Sequence, residues 1–165
     1  MPHHFYILDV FAENKYAGNQ LAVILDFERK LSDEQMQSIA GEMHFSETTF
    51  IRSESPDENG YNVRIFTPTR EVPFAGHPTI GTAWIIREML HDRAIIILNL
   101  KAGQIPVTQM TDCADNSILW LTALQPEFGP HVPAGDFASA LNLDIEDFDS
   151  RFPIQVVSTG IPFNL

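Results

Sequence analysis

The chain has 165 residues, 44% hydrophobic and 19% charged, enough to bury a core and organise one ordinary domain or slightly more. Lys+Arg 10 against Asp+Glu 22 gives a net charge of −12 and a pI near 4.7, which makes nucleic acid and anionic membrane poor partners. The opening run MPHHFYILDVF has no basic region and is interrupted by Asp9, and no apolar stretch approaches bilayer length, so a soluble cytoplasmic protein is expected.

In chain order, HFYILDVF and QLAVIL are apolar, β-branched and aromatic runs. They predict two adjacent strands joined through KYAGN, whose Gly18-Asn19 step is a turn signal. LSDEQMQSIAGEMHF predicts a helix: Ser32 and Gln35 have capping-box spacing, and Met36, Ile39, Ala40 and Met43 fall on one stripe. ETTFIR and YNVRIFT predict strands, with SESPDENG as the exposed loop between them. A second helix is expected from Pro78, through Ile80, Ala83, Trp84 and Arg87, to Leu90, because a proline's missing amide hydrogen costs nothing in a first helical turn.

AIIILNL, QIPVTQM and SILWLTAL are three further strand candidates. In QPEFGPHVPAG, three prolines and two glycines in eleven residues predict a linker between lobes. DFASALNLDIEDF is helix-like and acidic, and FPIQVVSTGIPFNL begins as a strand. That strand shows no partner after it and stops at Leu165, which leads to the expectation of a truncated chain, since ladder groups need pairing. A weak echo of YAGNQLAV in STGIPFNL, with Gly160 in the comparable place, suggests the start of a second copy of the first lobe.

Two positions could carry chemistry. Glu47, in HFSETTFIRS, lies where a helix gives way to a strand, with Thr49 and Ile51 on its face by alternation. It is either a solvated glutamate at a strand start or a carboxyl with a pKa raised by desolvation, suited to act as base and then acid. In REVPFAGHPTIGTAW, Gly76 permits close backbone approach and Pro78 fixes a first helical turn, whose free amides suit a carboxylate or phosphate. His77 either caps that helix or adds a donor or a proton to a ligand. The single cysteine, Cys113, sits in the polar TDCADN, so neither a disulfide framework nor a thiolate cluster is expected. The six histidines show no HxxxH or HxH spacing, so no metal site is expected. Ser46 and Ser158 lack a GxSxG frame, and neither GxGxxG nor a Walker pattern occurs. Acid/base chemistry without a cofactor is what remains.

LDVFAENKYAGNQLAVIL, LSDEQMQSIAGEMHFSETTF and RIFTPTREVPFAGHPTIGTAW together resemble the phenazine-biosynthesis PhzF-like proteins, relatives of diaminopimelate epimerase. The resemblance implies an α+β fold of two similar lobes, each a curved, mostly antiparallel sheet around a central helix, with the active site in the cleft between them. Residues 1–128 would then form the first lobe, and 129–165 a linker and the incomplete start of the second. It implies that Glu47 is the catalytic glutamate, moving a proton between carbons of a small carboxylic acid. Gly76, His77, Gly18, Asn19 and Ser46 would contact the substrate, with Gln20 standing where many members have proline. Nothing in residues 129–165 matches the D-P-x-T-G-S-like loop that the family's second lobe supplies opposite the glutamate. Two-cysteine racemases need a thiolate on each face of the substrate carbon, whereas here the Gly-His-Pro element occupies the first cysteine's place. An isomerase without cofactor, able to pair as a homodimer, is therefore expected. The other expectation is a non-catalytic small-ligand or interaction module made of one lobe.

Overall fold

The structure is a computed structural model and describes residues 3–91, 93–111 and 117–164. Cys113 and Leu165, on which expectations fell, lie outside them. The residues divide into two compact units, Met1–Ala123 and Leu124–Leu165.

In the first unit, the two opening runs form β1 (Phe5–Val10) and β2 (Asn19–Leu25), antiparallel with Val10 opposite Asn19. A helix between two strands leads the chain back to the same end, so the strands flanking it pair parallel. This happens twice. Helix α1 (Asp33–Met43) connects β2 to β3 (Glu47–Ile51), and a longer crossover, which holds the short antiparallel β5 (Glu71–Val72) before α2 (Gly76–Met89), connects β4 (Tyr61–Phe66) to β6 (Ile95–Leu100). All other pairings in this sheet are antiparallel, including β7 (Gly103–Thr111) with β8 (Ser117–Leu121). The order is β1-β2-β3-β4-β6-β7-β8. Strand β4 gives one edge to β3; its other edge is shared, Tyr61 and Asn62 going to β6, and Ile65 and Phe66 to the short β5 (Glu71–Val72).

Helix α2 touches β1, β2 and β3 at one end of the order and β6, β7 and β8 at the other, so the sheet curls around it. The α+β lobe with a central helix is thus observed. Gly81 shows how tight the fit is: a Cβ there would sit 2.6 Å from Leu21 Cδ2 and 2.8 Å from Val10 Cγ2. Thr82 crosses to Thr49 of β3 in a buried 2.8 Å hydrogen bond. Alternation then sends Phe50 to the opposite face, where it packs with Ile24, Phe66, and Met36 and Ala40 of α1. The expected α1 stripe is present, with Met36 and Ala40 fully buried, and Ser32 and Gln35 form the capping box.

Several expectations need correction. Helix α2 begins at Gly76, two residues before Pro78, because Ala75 takes the extended cap conformation (φ −154°, ψ 141°). Pro78 is then third in the helix, still among residues whose amides have no intrahelical partner. Trp84, within the expected helix, is exposed, while Thr79, Gly81, Thr82, Ala83, Ile85 and Ile86 are buried. The proline-rich segment read as a linker contains β9 (Glu127–His131), which crosses the expected 128/129 boundary. Its Gly129 and Pro130 fall where the register with β10 (Gln155–Ser158) shifts, a place that tolerates a residue without an amide hydrogen. Strand β10 also has a second partner, β11 (Pro162–Asn164), across a turn in which Gly160 has φ 135°. The helical segment of this second unit is α3 (Ala134–Leu141), ended by Asn142 at φ 56° and followed by a single 3-10 turn, Ile145–Asp147.

Candidate active site

Three elements of the first unit start close together. The parallel register of β2 and β3 places Leu21 beside Glu47, so Asn19 and Glu47 lie at the same end of neighbouring strands. Helix α2 runs in the direction of β3: contacts join His77 to Glu47 and Thr82 to Thr49. Five helical residues advance about 7.5 Å and two strand residues about 6.6 Å, so the two elements keep step and the helix start meets the strand start.

The path into α2 is anchored from outside. Arg64 of β4 donates to both carboxylate oxygens of Glu71, at 2.8 and 2.9 Å, and Lys101 donates to Glu71 at 3.4 Å. The Ala102 amide donates to the Pro73 carbonyl at 3.1 Å. At the helix itself, the Thr79 hydroxyl donates to the Ala75 carbonyl at 2.7 Å, and the Thr79 amide to the same oxygen at 3.3 Å. No side chain caps Ala75 and the first turn has no acidic residue, leaving the Gly76 and His77 amides as donors for a ligand.

Glu47 and His77 face each other there, Oε2 to Nε2, at 3.5 Å, with side chains 18% and 9% exposed. That separation is too long for a good hydrogen bond. Among the described residues, three buried side-chain polar atoms lack a hydrogen-bond partner, and two of them are Glu47 Oε2 and His77 Nε2. Burial pushes the Glu47 carboxyl up from its ordinary 4.5 and pushes the His77 imidazole down from 6.5, the latter offset in part by the Gln20 backbone. Both shifts favour uncharged forms. A carboxyl poised to take and return a proton beside a neutral imidazole can perform acid/base chemistry at carbon.

The other expected residues have distinct places. Asn19 Nδ2 lies 3.2 Å from His77 Nδ1, so it touches the imidazole directly. A Cβ on Gly18 would sit 2.6 Å from the Val10 carbonyl oxygen and 2.9 Å from Ala12 Cβ, so glycine is required there by the turn itself. A Cβ on Gly76 would meet nothing within 4 Å, which leaves open space above the helix start. Ser46 is exposed immediately before Glu47. Sequence reasoning placed Thr49 on the face of Glu47 but missed its buried partner Thr82, which aligns β3 with α2; two threonines on separate elements give no local signal of their pairing. Among the described residues, no three His, Cys, Asp or Glu are grouped as metal ligands, and no helix is long and apolar enough to cross a membrane. A separate cavity of about 610 Å³ is lined by Arg29, Arg52, Arg64 and Lys101 among others. Its cations are already paired, with Asp57, Asp26, Glu71 and Asp33.

The family model described as phenazine biosynthesis-like protein, PhzC-PhzF, matches residues 8–164. A trans-2,3-dihydro-3-hydroxyanthranilate isomerase from Pseudomonas fluorescens is 47% identical over 166 residues, covering 96% of this chain and 54% of that protein. A Bacillus anthracis phenazine biosynthesis protein of the PhzF family superposes with a TM-score of 0.77 at 28% identity, over 99% of this chain and 55% of that one. A hydroxyproline epimerase from Agrobacterium vitis shares the fold, with a TM-score of 0.55 at 12% identity over 96% of this chain and 50% of its own. The chain spans about half the length of the relatives it matches.

Proposed function

The chain belongs to the phenazine biosynthesis-like family, and we propose that it carries the acid/base wall of an isomerase acting on a small carboxylic acid. The observation that supports this is the opposed pair of buried, unpartnered atoms, Glu47 Oε2 and His77 Nε2, 3.5 Å apart. In the proposed step, ionised Glu47 accepts a proton from a substrate carbon as the C–H bond breaks and the double bond shifts. The resulting carboxylic acid then returns the proton to another carbon, so substrate and product have the same composition and Glu47 is restored. The Gly76 and His77 amides hold the substrate carboxylate and stabilise charge that gathers on it. Ser46 and the Gly18-Asn19 turn border the same pocket.

The test is deuterium incorporation from heavy water, followed by NMR. The first substrate offered is trans-2,3-dihydro-3-hydroxyanthranilate, named for the Pseudomonas fluorescens relative, followed by a panel of small unsaturated carboxylic acids. Glu47→Gln is expected to lower exchange by about 100-fold or more. Equal exchange in variant and wild type would show that another group is the base. Binding without exchange on any acid favours the one-lobe binding module.

A further inference from the structure

The two ring nitrogens of His77 have different surroundings. Nδ1 lies 3.2 Å from Asn19 Nδ2. An amide NH2 can only donate, so Nδ1 presents its lone pair, and a neutral ring bonded in this way carries its hydrogen on Nε2. Burial keeps the ring on the neutral side near neutral pH. The Asn19 end of the contact has little slack, because Gly18 is pressed against Val10 and Ala12 and Asn19 is paired across the hairpin with Val10.

We infer that Asn19 is a positioning residue that fixes the Nε2–H tautomer of His77, making the imidazole a hydrogen-bond donor in the site and leaving Glu47 as the base. This rests on the isomerase reading above only for its catalytic consequence. With hydrogen on Nδ1, the Nε2 lone pair would face the Glu47 carboxylate across 3.5 Å, lone pair against lone pair, and would compete for the substrate's proton. With hydrogen on Nε2, the N–H points at Glu47 and at any substrate oxygen that enters beside it. During the proton shift Glu47 gains and returns the proton. His77 keeps its own throughout, donating to the oxygen on which negative charge gathers. Asn19 therefore acts through the imidazole.

The tautomer is read directly by long-range 15N–1H correlation spectra of the 165-residue chain labelled at histidine, with the His77 signal assigned from its loss in His77→Gln. Wild type is expected to show a protonated Nε2 and an unprotonated Nδ1 at about pH 8. Asn19→Asp replaces the donor by an acceptor and is expected to move the proton to Nδ1 and raise the His77 titration midpoint by about 1 pH unit. Asn19→Ala, which adds no charge, is expected to give a mixture of tautomers and, where turnover is measurable, to lower kcat by about tenfold with little change in KM. A wild-type ring protonated at Nδ1, or a tautomer unchanged in both Asn19 variants, overturns the inference. The spectrum reads the ring whether or not a substrate is converted. Absent turnover therefore counts against the proposed isomerase and leaves the tautomer result to stand or fall alone.

Discussion

At the residue scale, Glu47 and His77 couple stability to pH in opposite senses. The folded state raises the Glu47 pKa by burial, so the stabilising contribution of its protonated form is present below the ordinary 4.5 and is lost as pH rises through the folded value. At neutral pH the ionised, unpartnered carboxylate therefore costs stability. Glu47→Gln removes that cost and is expected to stabilise the fold by about 1 kcal/mol near pH 8, with a gain that shrinks toward zero as pH falls to about 4.5. Urea midpoints of the two proteins across this range check it; a variant less stable than wild type at the higher pH counts against a desolvated Glu47. His77 has the opposite dependence: its folded pKa is lowered, so stability falls as pH drops below 6.5. The face on which Glu47 lies was legible from alternation alone, and the histidine's place at a helix start from Gly-His-Pro. The contact between Asn19 and His77 was not, since 58 residues separate them and only the packing of α2 against β2 brings them together.

At the element scale, the two glycines of α2 make opposite predictions from one sequence pattern. A Cβ at Gly76 enters open space, whereas one at Gly81 collides with Leu21 and Val10. Gly76→Ala is thus expected to leave the thermal midpoint unchanged or slightly higher while lowering exchange on the proposed substrate, because the methyl enters the space over the free amides. Gly81→Val adds more bulk at the closest point between helix and sheet and is expected to cost about 2–3 kcal/mol by denaturant titration. If both were equally tolerated, the sheet would not be curled closely around α2. Helix α1 was legible to its capping residues, because its capping box and apolar stripe are local signals. The start of α2 was misplaced by two residues because Ala75 caps with its backbone alone. The shared edge of β4 leaves no mark in YNVRIF, since which residues pair with which strand is decided outside it, by β5 just beyond the next turn and by β6 after α2.

At the scale of the whole molecule, individual strands were readable from apolar runs, but their curling around α2 followed from family resemblance and not from periodicity. The reason is physical: α2 is buried around most of its circumference by strands from both ends of the sheet order, and no local pattern encodes that. The second unit, Leu124–Leu165, is built differently. Ala138 is its one buried residue among those described, while Phe128, Leu141, Leu143, Ile145, Phe152 and Phe163 are exposed. Its backbone is paired in a three-stranded sheet, yet a segment near 40 residues with so little core lacks the apolar burial that offsets chain entropy. The first unit buries Leu21, Phe50, Tyr61, Ile85, Ile86, Leu98 and Ile105 almost completely. Amide hydrogen exchange of the 165-residue chain should therefore separate the two. Amides of β3, β4 and α2 should exchange only through global unfolding, and those of β9, β10 and β11 at least about 100-fold faster, through local opening. A fragment ending at Ala123 should retain the protection pattern and melting cooperativity of the first unit. Equal protection in both sheets, or a fragment that fails to fold, would mean that the second unit supplies stability that its own burial does not account for.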